Sequence, residues 1–164
     1  MAAVVAKSME KEKVIAILEY YKNIDGEIKF YQKLVKGDED TYYNTVGAIA
    51  SDGLPHGKNN ISRITENAAM NVPDGVADRM RENEAKINEL YVLKAQIVRE
   101  ISRLTFKEKS IIFDFYINNL KWEQVSVRNH YSERQCKNIR DGAIEKLVAK
   151  FQNNAYICNF EIVA

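Results

Sequence analysis

The sequence is poor in the residues that punctuate or staple a chain. Of 164 residues, two are proline, seven glycine, two cysteine and one tryptophan. Scattered glycine and proline at this level exclude a low-complexity linker protein. The two cysteines, Cys136 and Cys158, cannot build a disulfide framework and fit a reducing cytoplasm. Charge of one sign is also lacking: the net charge is +1, which excludes a whole-chain polycation and an acidic tail protein. No apolar run approaches the roughly 18 residues of a membrane span. The opening MAAVVAKSMEKEKV carries too short an apolar stretch for a signal peptide, and its charges follow that stretch rather than precede it. A soluble cytosolic protein, with no targeting segment and no membrane partner, is expected.

Chemistry-bearing patterns are equally scarce. There is no Gly-rich phosphate loop and no zinc spacing. Asp38, Glu39 and Asp40 form a surface run, with no partner carboxylate at a spacing suited to acid–base work. The two histidines, His56 and His130, make no ligand set. No catalytic residue, metal or cofactor is expected, and the chain reads as a binding protein rather than an enzyme.

What is present is helical periodicity. With 46% hydrophobic residues the chain can bury a core as one ordinary domain or two small ones. Val14, Ile17, Tyr21, Ile24, Ile28, Tyr31 and Val35 recur at alternating spacings of three and four, a heptad seam. Gly37 and Asp38 are expected to end this helix, with Asp40-Thr41 capping a short one after it. Residues 51–60, SDGLPHGKNN, read as a loop, and a brief amphipathic stretch follows over 61–70. Pro73 then opens a second long period, in which Met80, Ile87, Leu90, Ile97, Ile101 and Leu104 share a seam with Asn83 and Lys94. Two such seams pair either as an antiparallel hairpin within one chain or between chains as a homo-oligomer.

After Leu104 the rhythm changes. Thr105, with Glu108 three residues on, forms a capping box for a helix carrying Phe106, Ile111, Ile112, Phe115 and Tyr116. Asn118-Asn119 stops it. Lys121 to Val125 begins a shorter helix, Asn129-His130-Tyr131 breaks it, and Ser132 caps a final helix over 133–150. This is helix-turn-helix spacing. Trp122, Val125, Cys136, Ile139, Ala143 and Leu147 are its expected core. Cys136 reads as a small buried hydrophobe, not a nucleophile. Residues 101–153 hold 10 Lys+Arg against 6 Asp+Glu, whereas residues 1–100 hold 14 against 16. A basic bias confined to this block points to a phosphate-bearing partner, duplex DNA. Ser132, Arg134, Lys137, Asn138 and Arg140 are candidate DNA-binding residues, with Arg suited to guanine, Asn to adenine and the helix start to a phosphate.

These residues resemble the sigma-region-4 type of helix-turn-helix. The similarity is carried by Leu104-Thr105, by Trp122-Glu123-Gln124-Val125-Ser126, by Ser132-Glu133-Arg134-Gln135-Cys136, and by Ala143-Ile144-Glu145-Lys146-Leu147. Where that motif usually has a Leu-Gly turn, this chain has Asn129-His130, two residue types that tolerate a left-handed backbone. Together with the long helices and the Gly53-Leu54-Pro55-His56-Gly57 loop, the chain resembles small phage and prophage regulators of Gram-positive bacteria of the ArpU and RinA kind. The resemblance implies sequence-specific transcriptional regulation, with Glu133, Arg134, Lys137 and Asn138 at the DNA-reading, DNA-binding positions of the motif. Two other functions share the same parts. One is a phage DNA-packaging recognition subunit of the small-terminase kind. The other is a module whose basic helix docks on RNA polymerase.

The expected fold is therefore all-α: a helical hairpin or coiled-coil region over 1–104, a helix-turn-helix domain over 105–153, and an apolar tail over 154–164. The tail is rich in β-branched and aromatic residues and alternates weakly, so it should pack on the hairpin or on another chain.

Overall fold

A computed structural model describes residues 9–50 and 74–162. The protein is all-α, and no strand occurs among the described residues. No helix among them is long and apolar enough to cross a membrane. The expected loop over 51–60 with its Gly-Pro-Gly pattern, the amphipathic stretch over 61–70 and the helix start at Pro73 lie outside the described residues.

Helix α1 runs Lys11–Ala50 and α2 runs Asp74–Ser102. The expected break at Gly37-Asp38 is not there; α1 continues through it. A helical glycine costs about 1 kcal/mol, which neighbouring contacts can offset. Here the Thr41 hydroxyl donates to the Gly37 carbonyl at 2.8 Å, and Arg79 of α2 lies 3.1 Å from Asp38.

The chain divides into two compact units, one of Met1–Asp25 with Leu90–Ala164 and one of Gly26–Glu89. The division falls inside the long helices. In the smaller unit Ile28 and Val76 are buried, and Arg79 pairs with Asp38.

In the larger unit, the start of α1 buries Val14, Ile17, Leu18, Tyr21 and Ile24, and the end of α2 buries Leu90, Leu93, Ile97 and Ile101. Leu18 and Leu93 widen each seam beyond its heptad positions, as a helix covered on a broad face requires. Lys94 sits among these residues with its charge answered. Its Nζ lies 2.6 Å from Asp25 and 5.6 Å from the Tyr21 ring centroid. The hydrogen bond to Asp25 raises the Lys94 pKa, and burial raises that of the Tyr21 hydroxyl.

Four further helices complete this unit: α3 (Phe106–Ile112), which continues as a π-helical turn over Phe113–Ile117; α4 (Trp122–Asn129); α5 (Glu133–Gln152); and α6 (Ala155–Asn159). Helix α5 is central and packs on α3, α4 and α6. The α3 start is fixed by Glu108, which accepts from the Thr105 N–H at 3.1 Å and its hydroxyl at 2.8 Å. Lys146 of α5 reaches the other Glu108 oxygen at 2.6 Å. Burial works to raise the Glu108 pKa, but the bonds from Lys146 and Thr105 together outweigh it and hold the carboxyl below its ordinary value.

The tail forms a helical turn over its first residues despite its β-like composition. Asn154 caps α6 by accepting from the Ile157 N–H at 3.3 Å. Its amide also donates to Gln96 at 3.0 Å and to the buried Glu100 at 3.1 Å, tying the turn to α2. Ile157 and Cys158 are buried, Lys13 donates to the Cys158 carbonyl at 2.6 Å, and the Tyr20 and Phe160 rings lie 5.6 Å apart. The tail thus packs against the start of α1.

Candidate nucleic-acid interface

The candidate interface is built on α4, the turn after it, and α5. Its floor is a small core of Ile111, Val125 and Cys136, all fully buried, with Phe115, Leu120, Trp122, Tyr131 and Ile139 packed around it. Ala143 and Leu147 extend the same buried face of α5. Burial, reinforced by the nearby Glu133 charge, raises the pKa of the Cys136 thiol, so it stays protonated.

Trp122 is held by an aromatic neighbour and two cations. It stacks on Phe115 with centroids 4.1 Å apart and an interplanar angle of 18°. Lys137 Nζ lies 5.7 Å and the Arg140 guanidinium 5.2 Å from its centroid. Lys22 of α1 lies 5.6 Å from the Phe115 centroid. A cation over an aromatic face is attracted by the ring quadrupole, by about 0.5–1 kcal/mol where exposed. The stack therefore joins α1, the π-helical turn, α4 and α5.

The turn rests on a buried polar network. Asp114, 3% exposed, accepts from Asn129 Nδ2 at 2.9 Å and Asn118 Nδ2 at 3.1 Å, and Arg128 lies 3.4 Å away. Asn129 Nδ2 also donates to the Val125 carbonyl at 2.9 Å, while its Oδ1 accepts from the Ser110 hydroxyl at 2.6 Å. A buried carboxylate needs such partners, and here they fix the last turn of α4. The next residue, His130, adopts the left-handed conformation (φ 58°, ψ 35°), which ends α4 and reverses the chain. Ser132 then caps α5, its hydroxyl accepting from the Gln135 N–H at 3.2 Å.

These constraints aim the first half of α5 outward. Ser132, Glu133, Arg134, Lys137 and Asn138 are all exposed. Arg134 and Asn138 have no polar partner among the described residues. Lys137 faces Glu133 at 4.0 Å, a separation at which a solvent-exposed pair contributes little. Arg140 sits apart from the others. It is only partly exposed, bonds Asp141 at 2.6 Å and 2.8 Å, and covers Trp122. Burial raises the pKa of Tyr116, with Arg140 opposing that shift from nearby.

Sequence reasoning did not find the Asp114–Asn129–Ser110 network. Its members are 15 and 19 residues apart, and no local pattern signals such a contact. Among the described residues no three His, Cys, Asp or Glu gather into a group that could hold a metal ion. Comparison with known proteins finds no matching protein family, no matching curated protein and no matching solved structure.

Proposed function

We propose that this chain is a sequence-specific DNA-binding transcriptional regulator, of the kind small phages encode, with α5 as its recognition helix. One observation carries the reading. The first half of α5 exposes Arg134 and Asn138 without polar partners among the described residues, while its opposite face, through Cys136, Ala143 and Leu147, is locked onto α3 and α4. A helix held this way offers the side chains that read guanine and adenine at its outer face. In this reading Arg134 and Asn138 contact base edges, Lys137 and the Ser132 end of α5 contact phosphate, and Glu133 selects against bases that present acceptors. Arg140 positions Trp122 rather than touching DNA. The long helices act as a hairpin that braces this sigma-region-4-like motif or joins copies of the chain.

Fluorescence anisotropy with labelled duplexes tests the reading. Arg134→Ala should lower affinity for a selected site by about 1–3 kcal/mol and relax base preference at one position. Lys137→Ala should weaken binding to all duplexes and reduce the salt slope by about one ion. Absence of measurable affinity for any duplex near 50 mM salt would remove the reading. Capture of RNA polymerase under those conditions would put polymerase docking in its place. A closed ring in solution that still binds DNA would instead point to a packaging subunit.

A further inference from the structure

A second cationic feature lies away from the recognition face. Where the end of α2 meets the end of α5 and the start of α6, a cleft of about 540 Å³ is lined by Arg99, Arg103, Lys150, Asn153, Asn154 and Tyr156. A shallower groove of about 440 Å³ continues from it along α5 past Arg103 and Lys150. The first volume falls in the size range of small-molecule sites.

The charge in this cleft is unbalanced. Arg99 is exposed and Lys150 half-buried, and neither has a carboxylate or other polar partner among the described residues. The one carboxylate in the wall, Glu100, is 3% exposed and already engaged. It accepts from Arg103 Nη1 at 2.9 Å and 3.2 Å and from Asn154 at 3.1 Å. Glu100 thus fixes Arg103 and Asn154 in place, while the Nε and Nη2 donors of Arg103 have no acceptor among the described residues. Three cations against one carboxylate leave an excess of two positive charges around a concave surface, the complement of a phosphate dianion. Tyr156, 38% exposed, lines the same cleft.

The cleft is not an extension of the recognition face. At about 100° per residue, Lys150 lies about 160° around α5 from Arg134 and four turns further along it. A duplex seated on Arg134 and Asn138 would not lie against Lys150.

We propose that the α2–α5–α6 cleft is a binding site for a nucleoside diphosphate or a similarly sized phosphate ester, held by Arg99, Arg103 and Lys150. The site does not depend on α5 reading DNA. Calorimetric titration of the full chain with ADP, and separately with adenosine, tests it at constant ionic strength. ADP should bind saturably and adenosine should not. Arg99→Gln with Lys150→Gln should weaken ADP binding at least about tenfold, since two charge-assisted contacts are lost. Arg134→Ala should leave ADP binding unchanged. An unaltered unfolding midpoint checks that the double variant is folded. Should it unfold, the exposed Arg99→Gln alone carries the test, with a smaller weakening expected. The proposal is overturned if ADP shows no saturable binding up to about 5 mM. It is equally overturned if adenosine binds as well as ADP, or if the Gln variants bind ADP as the parent does.

Discussion

Replacing Asn129 with alanine should destabilise the larger unit far more than its position at the end of a short helix suggests. The side chain makes three bonds: to Asp114 at 2.9 Å, to the Val125 carbonyl at 2.9 Å, and from the Ser110 hydroxyl at 2.6 Å. Asp114 is 3% exposed, so water cannot replace the lost donor. A hydrogen bond to a charged group contributes about 1.5–3 kcal/mol, and the stranded Ser110 hydroxyl adds about 0.5–1 kcal/mol. The expected loss is about 2–4 kcal/mol. For a chain of this length that is on the order of 10 °C in unfolding midpoint. Urea denaturation followed through the emission of Trp122, the single tryptophan, reads the change directly. Asn118→Ala is the control. It removes an exposed partner of the same carboxylate, 3.1 Å away, and should cost less than about 1 kcal/mol because Arg128 still reaches the oxygen it bonds. A loss at Asn129 below about 0.5 kcal/mol, the level of an ordinary surface substitution, would refute the claim that this network holds the turn.

Two further outcomes follow from the same region. His130 has φ 58°, so His130→Gly should stabilise the fold by up to about 1 kcal/mol, whereas His130→Val should destabilise it by more than that; equal midpoints for both would deny the left-handed turn. Glu108 has a native pKa below its ordinary value of 4.5, so its contribution is present above that value and is lost as pH falls through the native pKa. The stability gap between the parent and Glu108→Gln, measured by denaturation at a series of pH values, should therefore be widest near neutrality and close in acid. A gap that widened as pH fell would contradict the Lys146–Glu108 pairing.

The elements legible in the sequence are those set by local chemistry. Thr105 with Glu108 and Ser132 with Gln135 are caps whose partners lie three residues away, so a short window contains the whole interaction. Val14 to Ile28 and Leu90 to Ile101 show their period because one face of each helix is buried. Gly37-Asp38 misled for the opposite reason. The helix runs through it, and the Arg79 contact that meets Asp38 there comes from 41 residues away in sequence. The helical turn in the tail was hidden for the same reason, since Asn154 caps α6 while bonding Gln96 and Glu100 some 54–58 residues earlier. At the interface the exposed residues of α5 could be read from helical spacing. The tether of Arg140 to Asp141 and Trp122 could not, because Trp122 comes from another helix whose approach is set by packing. The cationic cleft was equally hidden, since Arg99, Arg103 and Lys150 belong to segments that only the fold brings together.

The central claim is that the outer face of α5 reads base sequence, and selection from a random pool tests it most directly. The purified chain is mixed with random duplexes near physiological salt, and the retained pool is sequenced. The account predicts an enriched motif that is lost or degenerates at one position in Arg134→Ala, with the variant still folded by Trp122 emission. A retained pool no different from the input, or a motif that Arg134→Ala leaves unchanged, would contradict it.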